Sequence, residues 1–288
     1  MRISELKEEF IIRYMERRLK PSTIRGYRIN LEKHFLPAIE GIWTDLDDID
    51  VEMLDVLTDA LAQKGLSSRT IVYVHATVRK MMNYARKRGY IDLNPYDQFD
   101  MPRVYRYHYR VLPEDEIERM LLSASGTDLE VPITLALCYG LRRGEILGII
   151  PVFDVDLKRS VLHIQRTRTV EQKKPVLTDC KTQNSNRHVL ISPTHMMRLL
   201  KLSGDSFLCE LTPMQLEYRF KRFLMKYNFP QMRFHDLRHS YATFMLAKGV
   251  NPKIVSAVLG HSGVGVTLDI YSHPDVSMQQ ICLDFLPK

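Results

Sequence analysis

With 288 residues, 45% of them hydrophobic and 26% charged, the chain is long enough for about two domains, each able to bury a substantial core. A formal net charge of +7 and a pI near 9.1 favour an acidic partner, although many basic proteins never touch nucleic acid. Four scattered cysteines, Cys138, Cys180, Cys209 and Cys282, have neither CxxC spacing nor disulfide density, which argues against a stapled secreted fold and against a thiol active site.

The opening, "MRISELKEEFIIRYMERRLK", is charged throughout, lacks the apolar centre of a signal peptide, and reads as a first helix marked by Leu6, Phe10 and Tyr14. No later run approaches the length of a membrane span, so we expect a cytoplasmic protein with no membrane partner. Ser22 opens a second helix, residues 51–64 form a third, and "SSRTIVYVHATVRKMMNYARKRG" a fourth. In the fourth, Ile71, Val74, Val78, Met81 and Ala85 keep helical spacing and predict a buried stripe, with Arg69, Arg79, Lys80, Arg86, Lys87 and Arg88 on the opposite face. Arg86, Lys87 and Arg88 suit the negative end of a helix dipole as well as they suit phosphate, so the face counts only collectively. "NPYDQFDMPRVYRYHYRVLPEDE" then brings three prolines and alternating aromatic and basic residues. We read residues 104–112 as an interdomain linker, whose Arg106 and Arg110 suit either a strand or a chain lying on phosphates. The division is therefore 1–103, all helical; 104–112, linker; and 113–288, a second domain.

That second domain is mixed. Helices are expected at about 113–124, behind Pro113, and at 129–140, β-like runs at 161–171 and 187–192, and helices again towards the C-terminus. The fold class is mainly α with a small β-sheet or hairpin, without a Gly-rich phosphate loop or an internal repeat. "FHDLRHSYATFMLAKG" is an amphipathic helix with Leu237, Tyr241 and Phe244 on its apolar stripe and Gly249 as its stop. His235 and Arg238 form an i,i+3 pair, and Leu237 lies about 200° around the helix from His235 at about 100° per residue, so the pair is expected to face away from that stripe. By itself such a pair is a solvated polar face. His235 and His239 have the i,i+4 spacing of zinc-binding helices, but the general-base Glu of that motif is missing and no metal site is expected.

Three further stretches supply partners for the pair. "YGLRRGEILGI" places Arg142 just after Gly140, where a helix should end; "CKTQNSNRHVLIS" puts Lys181 before a strand; "LGHSGVGVTLDIYSH" sets His261 ten residues before Tyr271. In this order and spacing the motifs resemble the tyrosine recombinases of the phage integrase family, whose signature is an Arg in a G-L-R-x-[SG]-E box, a Lys on a β-hairpin, H-x-x-R, L-G-H and a Tyr. Each motif alone is weak, but five in sequence are hard to reach by chance. The likeness covers nearly the whole chain. It implies a SAM-like helical core-binding domain that clamps DNA in residues 1–103 and a mixed α+β catalytic domain in residues 113–288.

The resemblance implies site-specific DNA strand exchange, in integration, excision or resolution, through a 3′-phosphotyrosyl intermediate with no cofactor, metal or ATP. The residue types fit that chemistry. Attack at a phosphodiester piles negative charge on the nonbridging oxygens, and the guanidinium forks of Arg142 and Arg238 can hold them. A tyrosine hydroxyl, with a pKa of about 10, is a poor nucleophile at neutral pH, so Tyr271 needs cations or a base, for which His235 is the candidate. By resemblance Lys181 protonates the leaving 5′ oxygen and His261 hydrogen-bonds the phosphate. Glu145 reads as support that pairs with an arginine or caps a turn. Lys173 and Lys174 compete with Lys181, but the "KTxxSxR" context favours Lys181. Arg143 could cap the preceding helix as well as Arg142 could. Two rival functions share this frame, a noncatalytic DNA-binding regulator and a type IB topoisomerase. The tail "SHPDVSMQQICLDFLPK" carries Val276, Ile281, Leu283, Phe285 and Leu286 after the breaker Pro274. In the family such a tail packs on a neighbouring protomer, so a homotetramer on double-stranded DNA is expected, with packing on its own domain as the alternative. The arm-binding domain that precedes the core-binding domain in many integrases has no counterpart in the pattern, which implies a simple recombinase or a trimmed chain.

Overall fold

The computed structural model describes residues 1–19, 21–40, 42–104, 109–171, 174–179, 186–261 and 263–268. Lys181, Tyr271, Arg106, Lys173 and the apolar tail lie outside them. The chain divides into two compact units, Met1–Tyr107 and His108–Lys288, each with a hydrophobic core of its own.

The first unit is helical. α1 (Ile3–Glu9) runs through a π-helical stretch, Phe10–Met15, into the short α2 (Glu16–Arg18), and α3 (Pro21–Ile29) runs likewise through Asn30–Phe35 into α4 (Leu36–Ile39). A π turn closes its backbone bond at i+5, and Phe10, Met15, Asn30 and Phe35, the ends of the two stretches, are all buried. α5 (Val51–Gln63) is capped by Asp50, whose carboxylate accepts from the Met53 amide, and α6 (Ser68–Lys87) by Ser67, whose hydroxyl accepts from the Thr70 amide. The α6 stripe of Ile71, Val74, Val78, Met81 and Ala85 is buried against Leu6, Phe10, Leu31, Phe35 and Leu57. Asn30 and His75 are among the polar side chains buried in this unit. Asn30 Nδ2 donates to the Tyr73 carbonyl (3.2 Å) and Thr77 Oγ1 (2.8 Å). His75 sits between Thr58 Oγ1 and the Tyr96 hydroxyl, 3.0 Å from each, and burial pulls its pKa from 6.5 to about 4, so it is neutral at pH 7.

The second unit begins with α7 (Glu114–Ala124) and α8 (Glu130–Tyr139). α8 is apolar around its whole circumference and buried. It ends at Gly140, where φ is +64° and an added Cβ would lie 2.4 Å from the Tyr241 ring, so both backbone and space require glycine. α9 (Arg143–Gly148) and α10 (Pro151–Asp154) lead, among the described residues, to five short strands: β1 (Val155–Asp156), β2 (Val161–Ile164), β3 (Arg166–Glu171), β4 (Lys174–Asp179) and β5 (Arg187–Leu190). The run expected at 161–171 therefore breaks at Gln165. β2 joins an antiparallel sheet of order β1-β2-β5, whose Leu162, Ile164 and Val189 enter the core, whereas β3 pairs with β4 in a separate sheet, Arg166 opposite Asp179. The break is pinned by buried Asp154, whose two carboxylate oxygens accept from Arg166 Nη1 at 2.6 and 2.7 Å. The β3–β4 hairpin also lies close on α9. A Cβ at Gly144 would come 2.2 Å from Thr167 Oγ1, and one at Gly148 would come 3.1 Å from the Arg166 carbonyl. α11 (Pro193–Lys201), α12 (Pro213–Lys226), α13 (Phe234–Ala247), α14 (Pro252–Leu259) and α15 (Val264–Leu268) follow. α13 and α14 meet through Tyr241, Ala242, Leu246, Val255 and Leu259. Among the described residues no helix is long and apolar enough to cross a membrane.

Candidate active site

Three chain segments far apart in sequence converge on one carboxylate. Gly140 turns the chain out of α8, and Arg142 then caps α9, its amide donating to Glu145 Oε2 at 2.8 Å. Glu145, one turn into α9, is only 3% exposed. Its Oε1 accepts from Arg142 Nη1 (2.7 Å) and Arg187 Nη1 (3.0 Å), its Oε2 from Arg187 Nη2 (3.0 Å), and Arg238 Nη1 stands 3.9 Å from Oε2. Burial pushes the carboxyl pKa up, but the Arg187 hydrogen bonds and the charges of Arg187, Arg142 and Arg238 outweigh it and hold the group below the usual carboxylate value. Glu145 is therefore ionised at neutral pH.

The same three guanidinium groups grip the end of α14. Arg187 Nε donates to the Val258 carbonyl, Arg238 Nη2 to Leu259 (2.7 Å) and Arg142 Nη2 to Gly260 (2.8 Å). Three successive carbonyls at the negative end of a helix thus receive three successive cations. Arg238 is buried and also donates through Nη1 to the Gly140 carbonyl at 2.7 Å. Burial and the charge of Arg142 draw its pKa down to about 9, which leaves it charged at pH 7. Arg142 keeps about a third of its side chain open to solvent.

This corrects the expectation that His235 and Arg238 both face away from the buried side of α13. His235 is exposed, whereas Arg238 is buried on a side of the helix that α8 and α14 cover, because its guanidinium satisfies carbonyls at the ends of both. Desolvation, with His239, Arg238 and Arg142 nearby, lowers the pKa of His235 from 6.5 to about 4. His239 stands perpendicular to it with ring centroids 5.0 Å apart, and Tyr109 stacks on His239 at 4.4 Å. His261 follows Gly260, the left-handed end of α14, and its Nδ1 lies 2.8 Å from Thr267 Oγ1. Burial and the charges of Arg238 and Arg142 take its pKa to about 4 as well.

Arg142, Glu145, Arg238 and His261 are thus assembled around the α14 terminus, with His235 within electrostatic reach. Lys181 and Tyr271 lie outside the described residues, in segments adjoining β5 and α15 respectively. Sequence reasoning gave no role to Arg187, although it is the Arg of the "KTxxSxR" stretch that singled out Lys181. On the first unit, Arg69, Arg79 and Lys87 are exposed along α6. Lys80 lies over the Tyr14 and Tyr27 rings, Arg86 pairs with Asp97 at 2.6 Å, and Arg88 stands 3.6 Å from Glu9. Arg86 and Arg88 at the helix end therefore have carboxylate partners of their own. Arg110 is exposed, and Arg106 lies outside the described residues.

Residues 110–278 match the model of the phage integrase family, and residues 8–101 match that of the phage integrase SAM-like domain. The chain belongs to the phage integrase family. It is 26% identical to a protein named tyrosine recombinase XerC-like of Caldanaerobacter subterraneus subsp. tengcongensis, over 94% of this chain and 79% of that one. A tyrosine recombinase XerA of Saccharolobus solfataricus is 27% identical over 75% of this chain and 67% of its own. In fold, the chain is similar to the Tn1549 transposon integrase in complex with transposon right end DNA (TM-score 0.83, 20% identity, 99% of each chain). It is also similar in fold to a lambda integrase tetramer bound to a Holliday junction (TM-score 0.73, 15% identity, 96% of this chain and 80% of that one).

Proposed function

We propose that this chain is a tyrosine recombinase that exchanges DNA strands at specific sites through a transient 3′-phosphotyrosyl bond, without metal or ATP. The observation that carries the reading is the convergence of Arg142 and Arg238 on one ionised carboxylate and one helix end, beside two neutral histidines. Glu145 and the α14 carbonyls use some of the guanidinium N–H groups and fix both forks, which leaves the remaining N–H groups pre-set for nonbridging phosphate oxygens. Neutral His235 accepts the proton of the Tyr271 hydroxyl as the oxygen attacks phosphorus. Lys181 gives a proton to the departing 5′ oxygen. In the tautomer in which Thr267 donates to Nδ1, neutral His261 carries its proton on Nε2 and donates it in a hydrogen bond to the phosphate. The phosphodiester linkage survives as a phosphotyrosine bond, so a 5′ hydroxyl from a second strand reverses the reaction without added energy.

The partner is double-stranded DNA, bound by the first unit through Arg69, Arg79, Lys80 and Lys87 and by the catalytic unit at the scissile phosphate. Exchange between two duplexes requires several protomers, and the tail after Pro274 joins them into a tetramer. The work is done in the cytoplasm. The test is a plasmid carrying two copies of the mapped target, incubated with the protein and a chelator. Recombinant circles are the expected product. Relaxed plasmid without recombinants identifies a topoisomerase, and binding without strand breakage identifies a regulator.

A further inference from the structure

Arg187 is the buried member of the cluster that no phosphate-binding role requires. Its side chain is 7% exposed and lies just N-terminal to the inward Val189 of β5, opposite Ile164 of β2. It bridges both oxygens of Glu145 and the carbonyl of Val258. The carbonyls that hold Arg238 and Arg142 are the next two along the chain, Leu259 and Gly260, and His261 follows them. Arg187 thus ties both Glu145 and the α14 end to the β-sheet by hydrogen bonds.

We propose, resting on the recombinase reading, that Arg187 is a positioning residue for strand cleavage: it locks Glu145 and the end of α14 to β5, and thereby sets the two phosphate-gripping guanidinium groups of Arg142 and Arg238 in register. A lysine at this position keeps the charge but has no fork, so it cannot hold both carboxylate oxygens and Val258 together. The arginines it would have steadied retain their identity and lose their aim. The consequence belongs to the transition state, where charge builds on the nonbridging oxygens, rather than to DNA binding, which many other phosphate contacts sustain.

The experiment compares the full-length protein with Arg187→Lys in single-turnover formation of the covalent DNA adduct, at saturating protein. One substrate is ordinary DNA. The other has a methyl group in place of one nonbridging oxygen at the scissile phosphate, which is then uncharged and makes little demand on a guanidinium clamp. On ordinary DNA the variant should be slower by about a hundredfold, the cost of displacing reacting groups by about an ångström, with DNA affinity within about threefold of the parent. On the methyl-bearing substrate the deficit should shrink to within about fivefold, because the clamp supplies little there. Both substrates are run on one preparation, so loss of folded protein cancels in the ratio, and Arg187→Gln is measured alongside in case the lysine variant does not fold. Equal deficits on the two substrates, or no deficit on either, overturn the positioning role. No adduct from the unsubstituted protein overturns the recombinase reading itself, and this inference with it.

Discussion

Glu145 faces three guanidinium groups in the protein interior, so its removal strands more charge than it takes away. Breaking a buried pair by deleting one partner costs about 3–5 kcal/mol, and Glu145→Gln should lower unfolding stability towards that range in urea titrations read from the second unit. A loss below about 1 kcal/mol would mean that solvent already screens the cluster. The histidines give a pH test. His235 and His261 have folded pKa values of about 4, depressed from 6.5, so both stay neutral as pH falls from 8 through 6.5. Adduct formation at subsaturating protein, which reports the free enzyme, should be flat across that span and begin to fall only below about pH 5. An acid limb centred near 6.5 would show an unperturbed base. Arg142, Glu145, Arg238 and His261, which the structure brings together, can be picked out in the sequence because each sits in a short local pattern. Arg187 stands inside one of those patterns without betraying its role, since its work is done across 42 residues to Glu145 and 71 to Val258, separations that no local pattern encodes.

At the scale of elements, the helices are legible and the sheets only partly so. Capping at Asp50 and Ser67 and the stripe along α6 follow from spacing alone. The strand break at Gln165 depends on Asp154 drawing Arg166 away from the first sheet, a long-range pairing invisible in the alternation of residues. The buried side of α13 is hidden for a related reason, because an arginine reads as solvent-facing until the carbonyls it satisfies are known. Gly140→Ala should be among the most damaging single-methyl changes in the chain, since the added carbon meets Tyr241 and Leu259 and the backbone is left-handed. We expect a loss of about 2 kcal/mol or more together with slowed cleavage, because the Gly140 carbonyl also holds Arg238. A variant as stable and as fast as the parent would contradict the tight packing of α8 on α13. In the first unit, His75 is buried neutral. The unfolded chain takes up a proton near pH 6.5 and the folded one only near 4, so stability is full above 6.5 and declines as pH falls through that window, by roughly 3 kcal/mol in all. Trp43, the chain's one tryptophan, packs on the same core, so its fluorescence in urea titrations at pH 7.5 and 5 reads this unit. His75→Gln should flatten the difference. An unchanged pH dependence would assign it to other groups.

For the molecule as a whole, the net charge of +7 and the basic face of α6 predict affinity that falls steeply with salt. Replacing Arg69 and Lys87 together by alanine should reduce the salt slope by about 0.9 for each phosphate no longer neutralised, while the bound fraction still forms adduct. An unchanged slope would remove those residues from the interface. Deleting residues 276–288 should spare binding to a single site and abolish the pairing of two, and normal exchange by the truncated protein would place the tail on its own domain. The central claim is narrower than any of these: DNA is joined to Tyr271 through a 3′ phosphate. The most direct measurement treats genomic DNA with the protein in the presence of a chelator, isolates covalent complexes under denaturing conditions, maps the DNA ends and identifies the modified peptide by mass spectrometry. The account predicts a small set of recurring positions, free 5′ hydroxyl ends, and the phosphodiester on Tyr271, all absent from Tyr271→Phe, whose DNA affinity is unchanged. Adduct persisting in Tyr271→Phe, or cleavage that appears only when magnesium is restored, would contradict it.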